Sequence, residues 1–150
     1  MIPELKGKVL VLGIGNTLKQ DDGAGPYFVR NFKPQTSKSK HNIELIDAGS
    51  APENFTGQIK RIKPDTLVIV DAVEFGAKPG SIRVMGEGDL RSQSLSTHNV
   101  SLKTFVDFLR ADLPDLKVHV IGIQPKQADF GEGLSPEVEK AVAELCTNFI

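Results

Sequence analysis

The sequence has a single cysteine, Cys146, among its 150 residues. That excludes an internal disulfide framework and predicts a reducing, cytoplasmic setting. It also lacks charge of either sign in excess: 18 basic and 19 acidic residues leave a net charge of −1. Neither nucleic acid nor an anionic membrane is therefore expected as a partner. No apolar run approaches the roughly 20 residues that cross a bilayer. Met1-Ile2-Pro3-Glu4-Leu5-Lys6 leads straight towards a strand without the apolar region of a signal peptide. Internal repeats and low-complexity tracts are lacking, the nearest approach being the polar Ser/Lys-rich loop Pro34–Lys40. Three catalytic signatures are missing too: a Walker lysine motif, a Gly-x-Ser-x-Gly elbow and His-Glu-x-x-His, which removes the common hydrolase routes. What remains is 39% apolar and 25% charged, enough at this length for one domain over residues 1–150 with a substantial core.

The chain is organised around Val9-Leu10-Val11-Leu12-Gly13-Ile14-Gly15, an unbroken apolar run followed by a turn. Such a run reads as a strand buried on both faces. Asp21 and Asp22 follow, then helical spacing through Ala24, Phe28, Val29 and Phe32, with Asp22 as candidate N-cap and Pro26 in the first turn. Further strands are expected at Ile43–Asp47, Thr66–Asp71, Ser81–Met85 and Lys117–Ile123. Helices are expected over Glu53–Arg61, over His98–Asp112, and from Ser135-Pro136 along Val138, Val142, Leu145 and Phe149. Apolar strands alternating with helices predict a three-layer α/β/α sandwich around a five-stranded, mostly parallel sheet. The segment after Gly80 is the candidate antiparallel strand.

Three residues can converge on chemistry. If the first and third strands are parallel neighbours, Asp22 and Asp71 leave the same sheet edge, and His98 follows an irregular polar stretch, Gly86–Thr97. Two carboxylates and an imidazole make an O/O/N set with open positions, suited to zinc, nickel, cobalt or manganese. Each has a plainer reading: Asp22 as an N-cap, Asp71 as a loop carboxylate, His98 as a solvated or capping histidine. His119 lies within a strand, His41 in the polar loop, and Cys146 beside the apolar face of the last helix, where packing is the expected role. Asp21, Asp47, Asp65 and Glu53 could sit near the site, but solvated or capping roles are expected of them. Phe55, Ile59 and Phe130 are candidates either for a docking surface or for ordinary packing. Gly13-Ile14-Gly15 does not complete a dinucleotide fingerprint, since Leu18 stands where the third glycine belongs and an acidic pair follows.

Gly15-Asn16-Thr17-Leu18-Lys19-Gln20-Asp21-Asp22-Gly23-Ala24-Gly25-Pro26, Val70-Asp71-Ala72 and Ser96-Thr97-His98-Asn99 resemble the NiFe-hydrogenase maturation endopeptidases. Gly49-Ser50-Ala51-Pro52-Glu53-Asn54 and Gly122-Ile123-Gln124-Pro125 resemble the branch that matures hydrogenase 3-type large subunits. The resemblance implies the α/β/α fold, and it implies that Asp22, Asp71 and His98 bind metal and carry catalysis. It implies a peptidase that removes a short C-terminal extension from the large-subunit precursor once nickel has been inserted. Nickel would then arrive with the substrate, the free enzyme would bind it weakly, and the protein would be a monomer forming a transient complex. The bond would be cut by a nickel-polarised carbonyl or water with Asp22 or Asp71 as general base, or by a carboxylate activating water while nickel only positions the precursor. Two other classes stay open: a non-cleaving, nickel-sensing chaperone for the precursor, and a small-molecule hydrolase with an enzyme-held metal.

Overall fold

A computed structural model describes residues 5–33, 42–86 and 101–149. Five strands, β1 (Lys8–Ile14), β2 (Asn42–Gly49), β3 (Thr66–Ala72), β4 (Ile82–Met85) and β5 (Lys117–Ile123), form one sheet. Their order is β2-β1-β3-β5-β4. β1 pairs in parallel with β2 and β3, β3 with β5, and β4 alone runs antiparallel, against β5. The expected five-stranded sheet with one antiparallel edge strand is therefore present.

Period-two alternation sorts the side chains of the central strands into two cores. Leu10, Leu12, Leu67, Ile69, Val118 and Val120 face one side, covered by Ile59 of α2 (Thr56–Ile62) and by Phe105, Val106 and Leu109 of α3 (Leu102–Asp112). Val9, Val11, Val68, Val70, Ile121 and Ile123 face the other, under Phe28 of α1 (Ala24–Asn31) and Val138, Val142 and Leu145 of α4 (Pro136–Asn148). This is why β1 and β3 read as continuous apolar runs: a strand sandwiched by helices on both faces has no solvent side. Phe28, Phe32 and Phe149 close the second core with ring centroids 5.2–5.5 Å apart, a spacing that adds about 0.5–1.5 kcal/mol per pair to their burial.

Strand order also locates the working edge. β1 continues through α1 to β2 on one side, whereas the chain leaving β3 goes to β4 and β5 on the other. The order reverses between β1 and β3, and the crevice beyond their carboxyl ends is where open α/β sheets bind ligands.

Several local expectations are corrected. The second helix is split into a 3-10 turn, Pro52–Phe55, and α2, which ends on Lys63 in the left-handed region at φ 52°. α3 begins at Leu102 rather than His98, because Ser101 is extended and its hydroxyl accepts from the Thr104 N–H at 3.1 Å. Of the two roles open to Ile59, ordinary packing is the one it has: it is wholly buried in the core. The expected loop Pro34–Lys40, His41, the stretch from residue 87 to Thr97, and His98 lie outside the described residues.

Candidate active site at the carboxyl edge of β1 and β3

The turn that leaves β1 is folded by short polar contacts and close backbone approaches. Asn16 Oδ1 accepts from the Leu18 N–H at 2.9 Å, and the Asn16 N–H donates to Asp22 Oδ2 at 3.0 Å. Residues Gln20–Gly23 then form a 3-10 turn that runs directly into α1. α1 is capped at Gly23 without a side-chain bond, so Asp22 is not its N-cap; its carboxylate instead ties the turn back to Asn16. Only glycine permits the next step. A Cβ on Gly13 would lie 2.5 Å from the Gly25 carbonyl oxygen, and one on Gly25 would overlap the carbonyls of Ile14 and Val70. The first turn of α1 thus rests on the backbone of β1 and β3, and Asp22 stands half-buried over their seam.

Asp71 comes from β3 itself, in register with Gly122 of β5, and has 0% relative exposure. Alternation along β3 sends it to the face shared with Leu67 and Ile69. A carboxylate taken wholly out of water requires compensating partners, and this one is the penultimate residue of β3, at the carboxyl end of the strand.

Two side-chain clasps fix this edge. Asp21, also at 0% exposure, accepts four bonds from the loop between β5 and α4. They come from the N–H groups of Lys126 at 2.9 Å, Gln127 at 3.1 Å and Ser135 at 2.7 Å, and from the Ser135 hydroxyl at 2.8 Å. Ser135 therefore occupies the N-cap position of α4 while its hydroxyl serves Asp21 instead of the helix. Gln124 makes the second clasp. Its Oε1 accepts from the N–H groups of Phe75 at 2.9 Å and Ala77 at 3.2 Å, and its Nε2 donates to Glu74 at 2.7 Å. The exits of β1, β3 and β5 are thereby held to one another. The sequence offers Asp21 as a residue that could sit near the site, with a solvated or capping role expected; it is instead buried at this edge, and its partners lie 105–114 residues away.

Asp22 and Asp71 are thus brought to the same edge, as expected, whereas the third candidate, His98, lies outside the described residues. Among the described residues no group of three or more His, Cys, Asp or Glu side chains could hold a metal ion. The oxygen donors at this edge suit a divalent ion only if further ligands join them. Asp65 is at the opposite edge, accepting from the Lys8 N–H at 2.8 Å where β1 begins. Asp47 pairs with Arg30 at 3.1 Å, and Glu53 is exposed beside α3. Cys146 packs against the α1/α4 core, where burial pushes its thiol pKa up and away from thiolate chemistry. Phe55 is partly buried against the core, whereas Phe130 is 85% exposed.

The fold and site define an α/β protein with carboxylates gathered at the switch point of a parallel sheet. Comparison with known proteins gives its family. A model of the hydrogenase maturation protease family matches residues 26–150. The hydrogenase 3 maturation protease of Escherichia coli K12 is 35% identical over 134 residues, covering 89% of this chain and 83% of that protein. A putative hydrogenase maturation protease of Methanocaldococcus jannaschii is 32% identical over 148 residues, covering 95% and 86%. The solution structure of the E. coli endopeptidase HycI superposes with a TM-score of 0.78 at 33% identity, over 93% of this chain and 87% of that one. The chain belongs to the hydrogenase maturation proteases, and it is a peptidase.

Proposed function

We propose that this peptidase removes a C-terminal extension from a NiFe-hydrogenase large-subunit precursor after nickel has been inserted, and that it reads the nickel as part of its substrate. The observation that carries the reading is the pair Asp22 and Asp71 at the β1/β3 switch point, one half-buried on a clasped turn and one fully buried. His98 is proposed as the third ligand on the strength of the Ser96-Thr97-His98-Asn99 motif. Hard oxygen donors and one imidazole complement a metal already held by substrate thiolates, because such a set leaves positions open for them. Asp22, Asp71 and His98 would hold a nickel presented by the precursor, and cleavage would then wait for nickel. Nickel held there would supply Lewis-acid polarisation or water activation, or would only position the precursor. Asp22 or Asp71 would take the proton from the attacking water and return it to the leaving amine as the C–N bond breaks.

The intact mass of a nickel-loaded precursor, measured after incubation with the protein beside a nickel-free control, tests this. Loss of a short C-terminal peptide is expected only in the loaded sample, and Asp71→Asn should slow it at least ~100-fold. Equal cleavage of the nickel-free control would remove the nickel gate. A stable complex without any change of mass would replace the peptidase reading of this site with a non-cleaving docking role.

A further inference from the structure

Two of the described residues, Gln20 and Lys63, hold a positive φ without being glycine. Lys63 ends α2, where a left-handed residue is ordinary. Gln20, at φ 50°, opens the 3-10 turn that carries Asp21 and Asp22, and no helix end explains it. A left-handed backbone is unfavourable for any residue with a Cβ. The side chain adds a second cost. Gln20 Oε1 is buried without a hydrogen-bond donor among the described residues, and a buried acceptor left so destabilises the fold. The amide is pressed against the loop after β5: a Cβ on Gly131 would lie 3.2 Å from Gln20 Nε2. Outliers of this kind persist only where their surroundings over-determine them. Here the surroundings are that same loop. The Gln20 N–H donates to the Gly131 carbonyl at 3.0 Å, the Asp21 N–H to the Gln127 carbonyl at 3.1 Å, and the Asp21 carboxylate accepts four bonds from Lys126, Gln127 and Ser135.

We propose that Asp21 is the positioning residue for Asp22: its clasp holds the turn in a strained shape, and that shape sets where the Asp22 carboxylate stands during peptide cleavage. This rests on the role proposed above for Asp22 and names what fixes it. Asp21 is wholly buried, so it touches no substrate and acts through its neighbour. The chemistry of the clasp calls for a carboxylate. Four donors converge on its two oxygens; an ionised carboxyl group only accepts, whereas an amide would turn N–H groups towards some of them. Bonds to a charged acceptor are also the stronger kind, which a turn bearing two unfavourable features at Gln20 requires. Asp22 itself is held more lightly. Its Oδ2 accepts from the Asn16 N–H at 3.0 Å, within the same turn, so its place follows the place of Asp21.

The test uses the full chain, first alone and then with the nickel-loaded precursor. Asp21→Asn and Ser135→Ala both weaken the clasp. The second removes the hydroxyl bond and keeps the Ser135 N–H, so it serves if the first does not fold. In the free protein, hydrogen exchange at the Asn16 amide reports on the Asp22 carboxylate, because that N–H donates to it. Exchange there should quicken roughly tenfold or more in Asp21→Asn, and less in Ser135→Ala. With the precursor, kcat should fall in the same order, at least about tenfold for Asp21→Asn, at a temperature where each variant is folded. Gln20→Gly, which relieves the left-handed strain, should raise the unfolding temperature of the wild type by about 2–4 °C. Added to Asp21→Asn, it should recover part of the lost kcat. Unchanged exchange at Asn16 in both clasp variants would overturn the proposal and leave the peptidase reading standing. Faster exchange with unchanged kcat would overturn it too, since Asp22 would then have moved without consequence. A wild-type protein that leaves the precursor intact would overturn the function proposed above, and Asn16 exchange would still decide whether Asp21 holds Asp22.

Discussion

Asp21 and Asp22 are adjacent and chemically identical, yet the 3-10 turn sends them to different surroundings. Asp22 stays half-buried at the mouth of the sheet, its carboxylate within reach of solvent and of Asn16. Asp21 is swallowed by the β5–α4 loop and satisfies three backbone N–H groups and one hydroxyl. Asp21→Asn tests how much of the edge depends on that clasp. The amide keeps one acceptor oxygen and turns an NH2 group towards donors that have no acceptor to replace it. Bonds to a charged acceptor contribute about 1.5–3 kcal/mol each, and a stranded buried donor costs about 1–3 kcal/mol. A net loss of about 3 kcal/mol is expected, read as a lower urea midpoint at unchanged slope. An unchanged midpoint would mean that the loop holds its place without Asp21. On the surface of the same loop, Lys126 pairs with Glu137 at 3.0 Å and, by that bond first, holds the Glu137 carboxyl below its usual range. Both partners are largely solvated, so the pair adds little to the fold.

At the scale of elements, the seating of α1 on the sheet is what places Asp22, and two glycines permit it. Gly25→Ala sets a methyl against the backbone of Ile14 and Val70, atoms that cannot swing aside as a flexible side chain would. The expected cost is about 3 kcal/mol, at the upper end of overpacking, together with loss of cleavage as the 3-10 turn is displaced. Gly57→Ala is the control. It lies in α2 with only Arg61 nearby, at 3.7 Å, and should gain about 0.5 kcal/mol from helix propensity. Equal midpoints for the two variants in urea would show that the contact of α1 with β1 and β3 is soft. The elements themselves were legible, because Leu10 to Leu12 and Leu67 to Val70 are short β-branched and leucine-rich runs bounded by turn residues, which read as doubly covered strands, and Val138, Val142, Leu145 and Phe149 repeat at helical spacing. The placement of Asp22 and Asp71 at one edge was legible for the same reason: one follows the turn that leaves a buried strand and the other closes a second such strand. Asp21 and Gln124 were not, since their partners are brought in by the β5–α4 and β3–β4 connections, and no local pattern encodes a hydrogen bond across 105 residues. Nor could spacing tell exposed Phe130 from buried Ile59, both apolar residues in polar company.

For the whole molecule, the question is whether nickel belongs to the fold or only passes across it. Any ligand that binds the native state alone raises its stability by RT ln(1 + [L]/Kd), and the unfolding temperature reports that sum for the entire chain. A metal held as a resident cofactor, present at a thousand times its Kd, would contribute about 4 kcal/mol. For a domain of this size that is a rise of about 8–16 °C. Cargo-type binding, with Kd near the added concentration, contributes only about 0.4 kcal/mol, or about 1–2 °C. The described residues provide two carboxylates at the switch point and no complete ligand cluster, and they tie that edge together with hydrogen bonds through Asp21 and Gln124. The fold thus carries its own cross-links there. Adding about 0.1 mM nickel to the protein alone should therefore raise the unfolding temperature by no more than about 2 °C, and His98→Ala should remove even that. A rise of about 8 °C or more would make nickel a resident part of the enzyme, and the gate on cleavage would then have to lie in the polypeptide contacts alone.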